Sequence, residues 1–197
     1  MPWLILAYPL LSHLATLWHS QRLAALALAI FVAVPLLPAL RRRRTWAWLA
    51  LTVTLAVLYF AVEAGWAARL MYLPPVLIPL SVLALFARSL RPGQQPLVSV
   101  VARQIRGAEL PPELATHTRR VTQCWVWLLA ILALGALLLA IFASAEIWSL
   151  MTNVVMYLIL GSAFVIEYGY RRWRYRHLQH EGFATLIATL VRQRRQR

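Results

Sequence analysis

Long apolar stretches separated by short polar breaks make up most of the chain. A membrane-crossing helix requires roughly 20 mostly apolar residues. Six stretches approach that length, at about 3–18, 23–40, 45–62, 74–87, 121–143 and 147–168. The first contains Pro9, Ser12 and His13 and is the weakest of the six; four or five spans are the alternative, should this stretch or the fourth be re-entrant. The second stops at Arg41-Arg42-Arg43-Arg44, and the third opens with Trp46 and Trp48. Pro74-Pro75 suits the first turn of the fourth, where a missing N–H costs no hydrogen bond. Residues 88–120 are the only sizeable polar segment between spans. Within it Leu97, Val98, Val101 and Ile105 recur at helical spacing beside Arg103 and Arg106, which predicts a short amphipathic helix ended by Pro111-Pro112. Beyond the last span, Phe183, Leu186, Ile187, Leu190 and Val191 follow an i, i+3, i+4, i+7, i+8 pattern and predict a second such helix. The expected fold is all-α: a six-helix transmembrane domain over 1–170, followed by a basic tail over 171–197.

Composition places those stretches in lipid. Hydrophobic residues make up 61% of the chain and charged residues 13%, against about 45–50% and about 25% in a soluble domain. The net charge of +14 comes from arginine alone, because the chain has no lysine. Segments 41–44, 88–120 and 171–197 hold 4, 6 and 8 arginines, which is 18 of the 20; only Arg22 and Arg69 fall elsewhere. Basic residues collect on the cytoplasmic side of membrane proteins, so all three segments are expected there, with both termini inside. The first residues lack a basic leader region and a clear cleavage site, so the first stretch is expected to be retained as a helix. Arginine-rich charge without a soluble binding fold does not suggest nucleic acid. The single cysteine, Cys124, excludes an intramolecular disulfide and reads as a small buried hydrophobe.

Few residues suggest chemistry. Ionisable or amide side chains inside a membrane are candidates for function, and His13, Asn153 and Glu167 form a possible polar intramembrane site. Each also has a plainer role: His13 as a hydrogen-bonded structural residue, Asn153 as a bond between helices, and Glu167 as the i, i+4 partner of Arg171. Glu63 and Glu146 fall at span ends and read as solvated caps. No metal-ligand cluster, phosphate loop or nucleophile motif appears, so no cofactor or metal is expected and the chain reads as non-catalytic. The arginine surface stands out more. Arg88, Arg91, Arg103, Arg106, Arg119, Arg120, Arg171, Arg172 and Arg174 are candidates to bind an acidic partner or anionic lipid headgroups, with Tyr168, Tyr170, Trp173 and Tyr175 interleaved as an interfacial belt would be. Positive-inside topology alone is the competing explanation.

Several motifs resemble a known family. They are Tyr72-Leu-Pro-Pro-Val-Leu-Ile, Leu85-Phe-Ala-Arg-Ser-Leu-Arg-Pro-Gly-Gln-Gln-Pro-Leu-Val, Leu110-Pro-Pro-Glu-Leu-Ala, Thr118-Arg-Arg-Val-Thr, and Trp148-Ser-Leu with Asn153 and Glu167-Tyr-Gly-Tyr-Arg-Arg. Together they resemble small bacterial inner-membrane proteins encoded among genes for aryl-polyene or xanthomonadin-like pigment lipids. The resemblance covers roughly 70–172; Gln94-Gln95 and His117 depart from it, where a charged pair and an aromatic are usual. It implies a pathway more than a reaction. The expectation is a non-catalytic membrane component that docks an acidic acyl carrier protein or pathway enzymes at the inner membrane. The alternatives are an accessory or small exporter for the lipid product, and a lipid-modifying enzyme using Glu167 and His117.

Overall fold

A computed structural model describes residues 4–106 and 109–174. The amphipathic helix expected over 183–191 lies outside them, as does the side chain of Arg106. Among the described residues the chain is mostly helical and has no strand. In order the elements are α1 (Leu4–Leu17), α2 (Gln21–Arg41), α3 (Thr45–Glu63), α4 (Ala67–Leu70), α5 (Leu73–Ser89), α6 (Leu97–Arg106), α7 (Pro112–Phe142), α8 (Ala145–Leu150), a π-turn (Met151–Val155) and α9 (Met156–Arg174).

Among the described residues five stretches are long and apolar enough to cross a membrane: Gln21–Arg41, Thr45–Glu63, Ala67–Ser89, Pro112–Phe142 and Ala145–Arg174. Helix α1 is not among them. Its 14 residues rise about 21 Å, short of the roughly 30 Å hydrocarbon core. Two expected boundaries move. The fifth stretch starts at Pro112 rather than 121, because proline fits a first helical turn and nothing downstream breaks the helix. The sixth runs on to Arg174. Arg171, Arg172 and Arg174 therefore lie in the last turn of this helix, where cations suit the negative end of the helix dipole; the rest of the expected tail lies outside the described residues.

Helices α1, α2 and α3 end in the same way. His19, Arg43 and Gly65 sit at φ 49°, 50° and 72°, the left-handed conformation that lets a chain leave a helix sharply. In each case the next N–H reaches back to the carbonyl five residues earlier: Ser20 to Ala15 at 3.0 Å, Arg44 to Ala39 at 3.0 Å and Trp66 to Ala61 at 2.7 Å. Only the third uses glycine, the one residue with no penalty there. Ser20 then caps α2 by accepting from the Leu23 N–H at 3.3 Å, and Gln21 Oε1 accepts from the Ala68 N–H at 2.8 Å, which fixes α4 beside the start of α2.

The described chain divides into two compact units: one up to Ile78 together with Ala133–Leu158, the other from Pro79–Leu132 together with the chain from Ile159. The first unit is built around Tyr8, Ala15, Ala24, Ala27, Leu28, Leu58, Ala61, Ala67, Met71 and Trp148. Half of these are alanine. Small residues let helix backbones approach closely where lipid, not water, surrounds the bundle. The large apolar residues face outward instead: Leu49, Val53 and Phe60 on α3, and Leu134 and Phe142 on α7, are exposed. Alanines and a few hydroxyls fill much of the interior while large apolar side chains cover much of the outside, a distribution that suits helices surrounded by lipid.

The second unit is joined by an aromatic series and by hydroxyls. Trp125 of α7 lies 6.2 Å from Phe86 of α5 and 4.4 Å from Phe164 of α9, centroid to centroid. Ser89 donates to the Phe86 carbonyl at 2.7 Å and accepts from the Leu97 N–H at 3.0 Å. Thr122 accepts from the Val98 N–H at 3.4 Å, and Ser99 and Thr118 share a 2.6 Å hydroxyl bond. Two orphan donors at the start of α6 are thus satisfied from outside the helix. Helix α6 packs on α7 through its serine, leaving Val100 and Val101 exposed.

Candidate functional site

Two groups of polar side chains are candidates, one in each unit. The first lies among α1, α8 and the π-turn. Asn153, buried in the π-turn, donates through Nδ2 to Ser12 Oγ at 3.2 Å and to Ser149 Oγ at 3.1 Å. Ser149 Oγ also lies 3.0 Å from His13 Nδ1. Ser12 and Ser149 are fully buried, and Asn153 is 7% exposed. His13 and Asn153, read from the sequence as separate candidates, therefore share one network, with Asn153 bonding across helices as expected. Glu167 does not join them; it belongs to the second group.

Local chemistry explains the arrangement. Thr16 and Thr152 donate to the carbonyls four residues earlier, Ser12 O at 3.0 Å and Trp148 O at 2.8 Å, so both are satisfied within their own helices. Ser12, Ser149 and Asn153 are left to pair with one another. The π-turn carrying Asn153 closes a wider ring than an α-turn, and such turns are frequent at functional sites. Asn153 Oδ1 and Trp148 Nε1 remain buried with no hydrogen-bond partner. Trp148 packs against Tyr72 with the rings tilted at 44° and their centroids 4.3 Å apart.

The second group joins α7 to α9. His117 is buried, and its Nε2 stands 3.7 Å from Glu167 Oε1. Arg171 Nε stands 3.6 Å from the same oxygen, the expected i, i+4 pair. Tyr170 stacks on His117 at 5.6 Å, and Arg171 lies 5.9 Å above the Tyr168 ring. Around this buried core the surface is cationic: Arg88, Arg91, Arg119, Arg120, Arg172 and Arg174 are exposed. Arg103 is half-buried and donates to Gln95 Oε1 at 2.9 Å. Arg172 donates to the Tyr168 hydroxyl at 3.4 Å. The contacts of His117 with Glu167 and Tyr170 join the start of α7 to the end of α9. Segment 88–120 carries six arginines against Glu109 and Glu113.

Other sequence readings resolve simply. Glu63 and Glu146 are exposed at helix ends. Glu146 follows the Ser144 cap, which accepts from the Ile147 N–H at 3.4 Å, and a carboxylate there suits the positive end of the helix dipole. Cys124 is exposed rather than buried: Val121, Thr122 and Trp125 are the inward positions of that turn, and the thiol falls on the outer face. Among the described residues no group of three or more His, Cys, Asp or Glu could hold a metal ion. Sequence reasoning missed Ser149 as a site residue. Its one clue was the i, i+4 spacing to Asn153, since a buried asparagine must find partners. The chain matches no protein-family model, no curated protein and no solved structure.

Proposed function

We propose that this chain is a non-catalytic component of a bacterial aryl-polyene-like lipid pigment pathway, docking an acidic acyl carrier protein or pathway enzymes at the inner membrane. In this reading it spans the membrane six times, with α1 as the sixth and shortest span and both termini cytoplasmic. The placement in a pathway rests on the motif resemblance over 70–172. The observation that carries the docking role is the exposed arginine surface, drawn from the end of α5, the start of α7 and the last turn of α9. Opposed charge of this kind steers encounters and selects partners.

The test is co-purification of the full chain with an acidic acyl carrier protein across a salt series. Replacing Arg88, Arg91, Arg119 and Arg120 with Gln should weaken binding about tenfold or more, taking a few tenths to 1 kcal/mol per surface charge, while membrane insertion is unchanged. Binding indifferent to both salt and these substitutions would sink the docking role. Deleting the gene in a pigment-producing host addresses the pathway: loss of the lipid places the protein in synthesis, and unchanged lipid in its usual location removes the pathway assignment.

A second reading, an accessory to export of the lipid product, draws on the buried network of Ser12, His13, Ser149 and Asn153. It requires normal amounts of lipid stranded in the inner membrane after deletion. An enzymatic reading draws on the His117–Glu167 pair, and it requires turnover of a lipid or acyl substrate that Glu167→Gln abolishes.

A further inference from the structure

Helix α6 is turned the wrong way round for a helix resting on a protein in water. Leu97, Val101 and Ile105 recur at i, i+4 and i+8, with Val98 and Val100 beside them, and make one apolar face. Ser99 and Arg103 fall on the opposite side. That polar side meets the rest of the unit: Ser99 is buried against Thr118, and Arg103 is half-buried. On the apolar side Leu97 and Ile105 are half-buried, and Val100 and Val101 are 40% and 46% exposed. A helix at a water-facing surface keeps its apolar stripe on the core. Here that stripe faces outward, so it needs an apolar medium outside the chain.

The anchors of α6 fix its level along the long apolar helices. Gly93, at φ 79°, turns the chain back after α5, and the Leu97 N–H donates to Ser89 Oγ at 3.0 Å. The Val98 N–H donates to Thr122 Oγ1 at 3.4 Å, and Ser99 bonds Thr118. All three come from the first turn of α6, which crosses α7 there and does not run along it. Ser89 follows Arg88, the first charge after the uncharged stretch 70–87. Thr118 and Thr122 bracket Arg119 and Arg120, the last charges before the uncharged stretch 121–145. Arginine at the end of a long apolar stretch marks the headgroup level. Both supports of α6 therefore stand where hydrocarbon gives way to headgroups.

We propose that α6 is an interfacial helix that binds anionic phospholipid on the side where Arg88 and Arg119 emerge. Its apolar face enters the outer acyl region, and Arg88, Arg91, Arg119 and Arg120, all exposed, stand among the phosphates. An apolar face with cationic flanks is the pattern that holds a helix in this layer, and each arginine adds attraction to an anionic leaflet. A second copy of the chain would bring the same arginines against one another, whereas anionic lipid matches both the apolar face and the charge. This goes beyond the docking role and does not depend on it, since that role leaves the apolar face of α6 unused.

Spin labels test it. In a Cys124→Ser background, Val101→Cys is labelled in the full chain, reconstituted into phosphatidylcholine vesicles with or without phosphatidylglycerol. Gln95→Cys, in the exposed loop, is the reference for water, and Val165→Cys on α9, 71% exposed, is the reference for lipid. Position 101 is exposed, so its label displaces no packed side chain. The ratio of collisions with oxygen to collisions with a water-soluble nickel chelate should be several-fold higher at position 101 than at 95, and close to that at 165. Phosphatidylglycerol should raise it further at 101, and replacing Arg88, Arg91, Arg119 and Arg120 with Gln should remove that rise. High salt should remove it too, by screening, which carries the test should the fourfold variant fail to insert. A ratio at 101 equal to that at 95 overturns the proposal, because the face then meets water. Protection from both reagents overturns it as well, because a second copy or another protein then covers the face. A ratio indifferent to phosphatidylglycerol, or a rise that survives both high salt and the arginine replacements, overturns the binding of anionic lipid.

Discussion

Replacing Ser12 by alanine should cost more than replacing Asn153 by leucine, although asparagine makes twice as many of the bonds. Ser12→Ala removes the acceptor of one Asn153 N–H together with the side-chain bond between Ser12 and Tyr8. It leaves one Asn153 N–H stranded beside an Oδ1 that is already without a partner. A buried group stripped of its partner costs about 1–3 kcal/mol in general. Hydrogen bonds between membrane helices average about 0.6 kcal/mol and reach about 1.7, because separated helices also find partners in lipid. We therefore expect Ser12→Ala to destabilise by about 1–2 kcal/mol. Asn153→Leu is close to shape-conserving. It loses one interhelical bond, worth about 0.6 kcal/mol, and a bond to Ser149 within its own helical segment that survives helix separation. It also removes the unsatisfied Oδ1, so the two effects offset and the change should stay within about 1 kcal/mol of zero. In the double variant the stranded N–H no longer exists, so the combined cost should be smaller than the sum of the two. Reversible unfolding of the full chain in mixed micelles, with all four proteins of the cycle, measures that coupling. Additivity within error, or a severe Asn153→Leu loss beside a neutral Ser12→Ala, would refute the energetic account of the network.

Two further outcomes follow from the helix ends and the outer faces. Gly65→Ala should lower stability by about 1 kcal/mol and Arg43→Gly should raise it by a similar amount, since only the backbone conformation is at issue; a Cβ at Gly65 meets nothing within 4 Å, and unfolding midpoints that move the other way would reject the shared helix-end explanation. Cys124 lies four residues, about 6 Å of helix rise, past Arg120, so an apolar maleimide should label it in intact membranes much faster than a charged thiol reagent; equal rates would show that water reaches this face.

Much of this fold could be read from the chain because lipid imposes length and pattern on the helices. The stretches at 23–40, 45–62, 74–87, 121–143 and 147–168 all correspond to helices, since each had to satisfy its backbone internally. Their ends were less legible. Arg119 and Arg120 looked like a boundary because charge was taken to end a span, yet charge does not end a helix, and α7 starts at Pro112. The partners of the polar residues were harder still. Asn153 announced a need for hydrogen bonds, but nothing in the sequence chose Ser12, 141 positions away. Cys124 was misread because burial depends on which side of the helix a position occupies, and one helical step separates it from the inward Trp125. Glu167 was assigned correctly to Arg171 by spacing, whereas its contact with His117 depends on tertiary packing that spacing does not encode.

The connections of the first unit are brief: residues 18–20, 42–44, 64–66 and 143–144 are all that separate the helices they join. Loops this short offer a protease or an antibody too little slack to grip, and an inserted tag would have to pull apart the left-handed turns at His19, Arg43 or Gly65. Segment 90–96, between α5 and α6, has more chain to spare and is the better place for a reporter. Any soluble macromolecule that recognises this protein has little loop to hold in the first unit, which leaves the second unit as the place to look for its footprint.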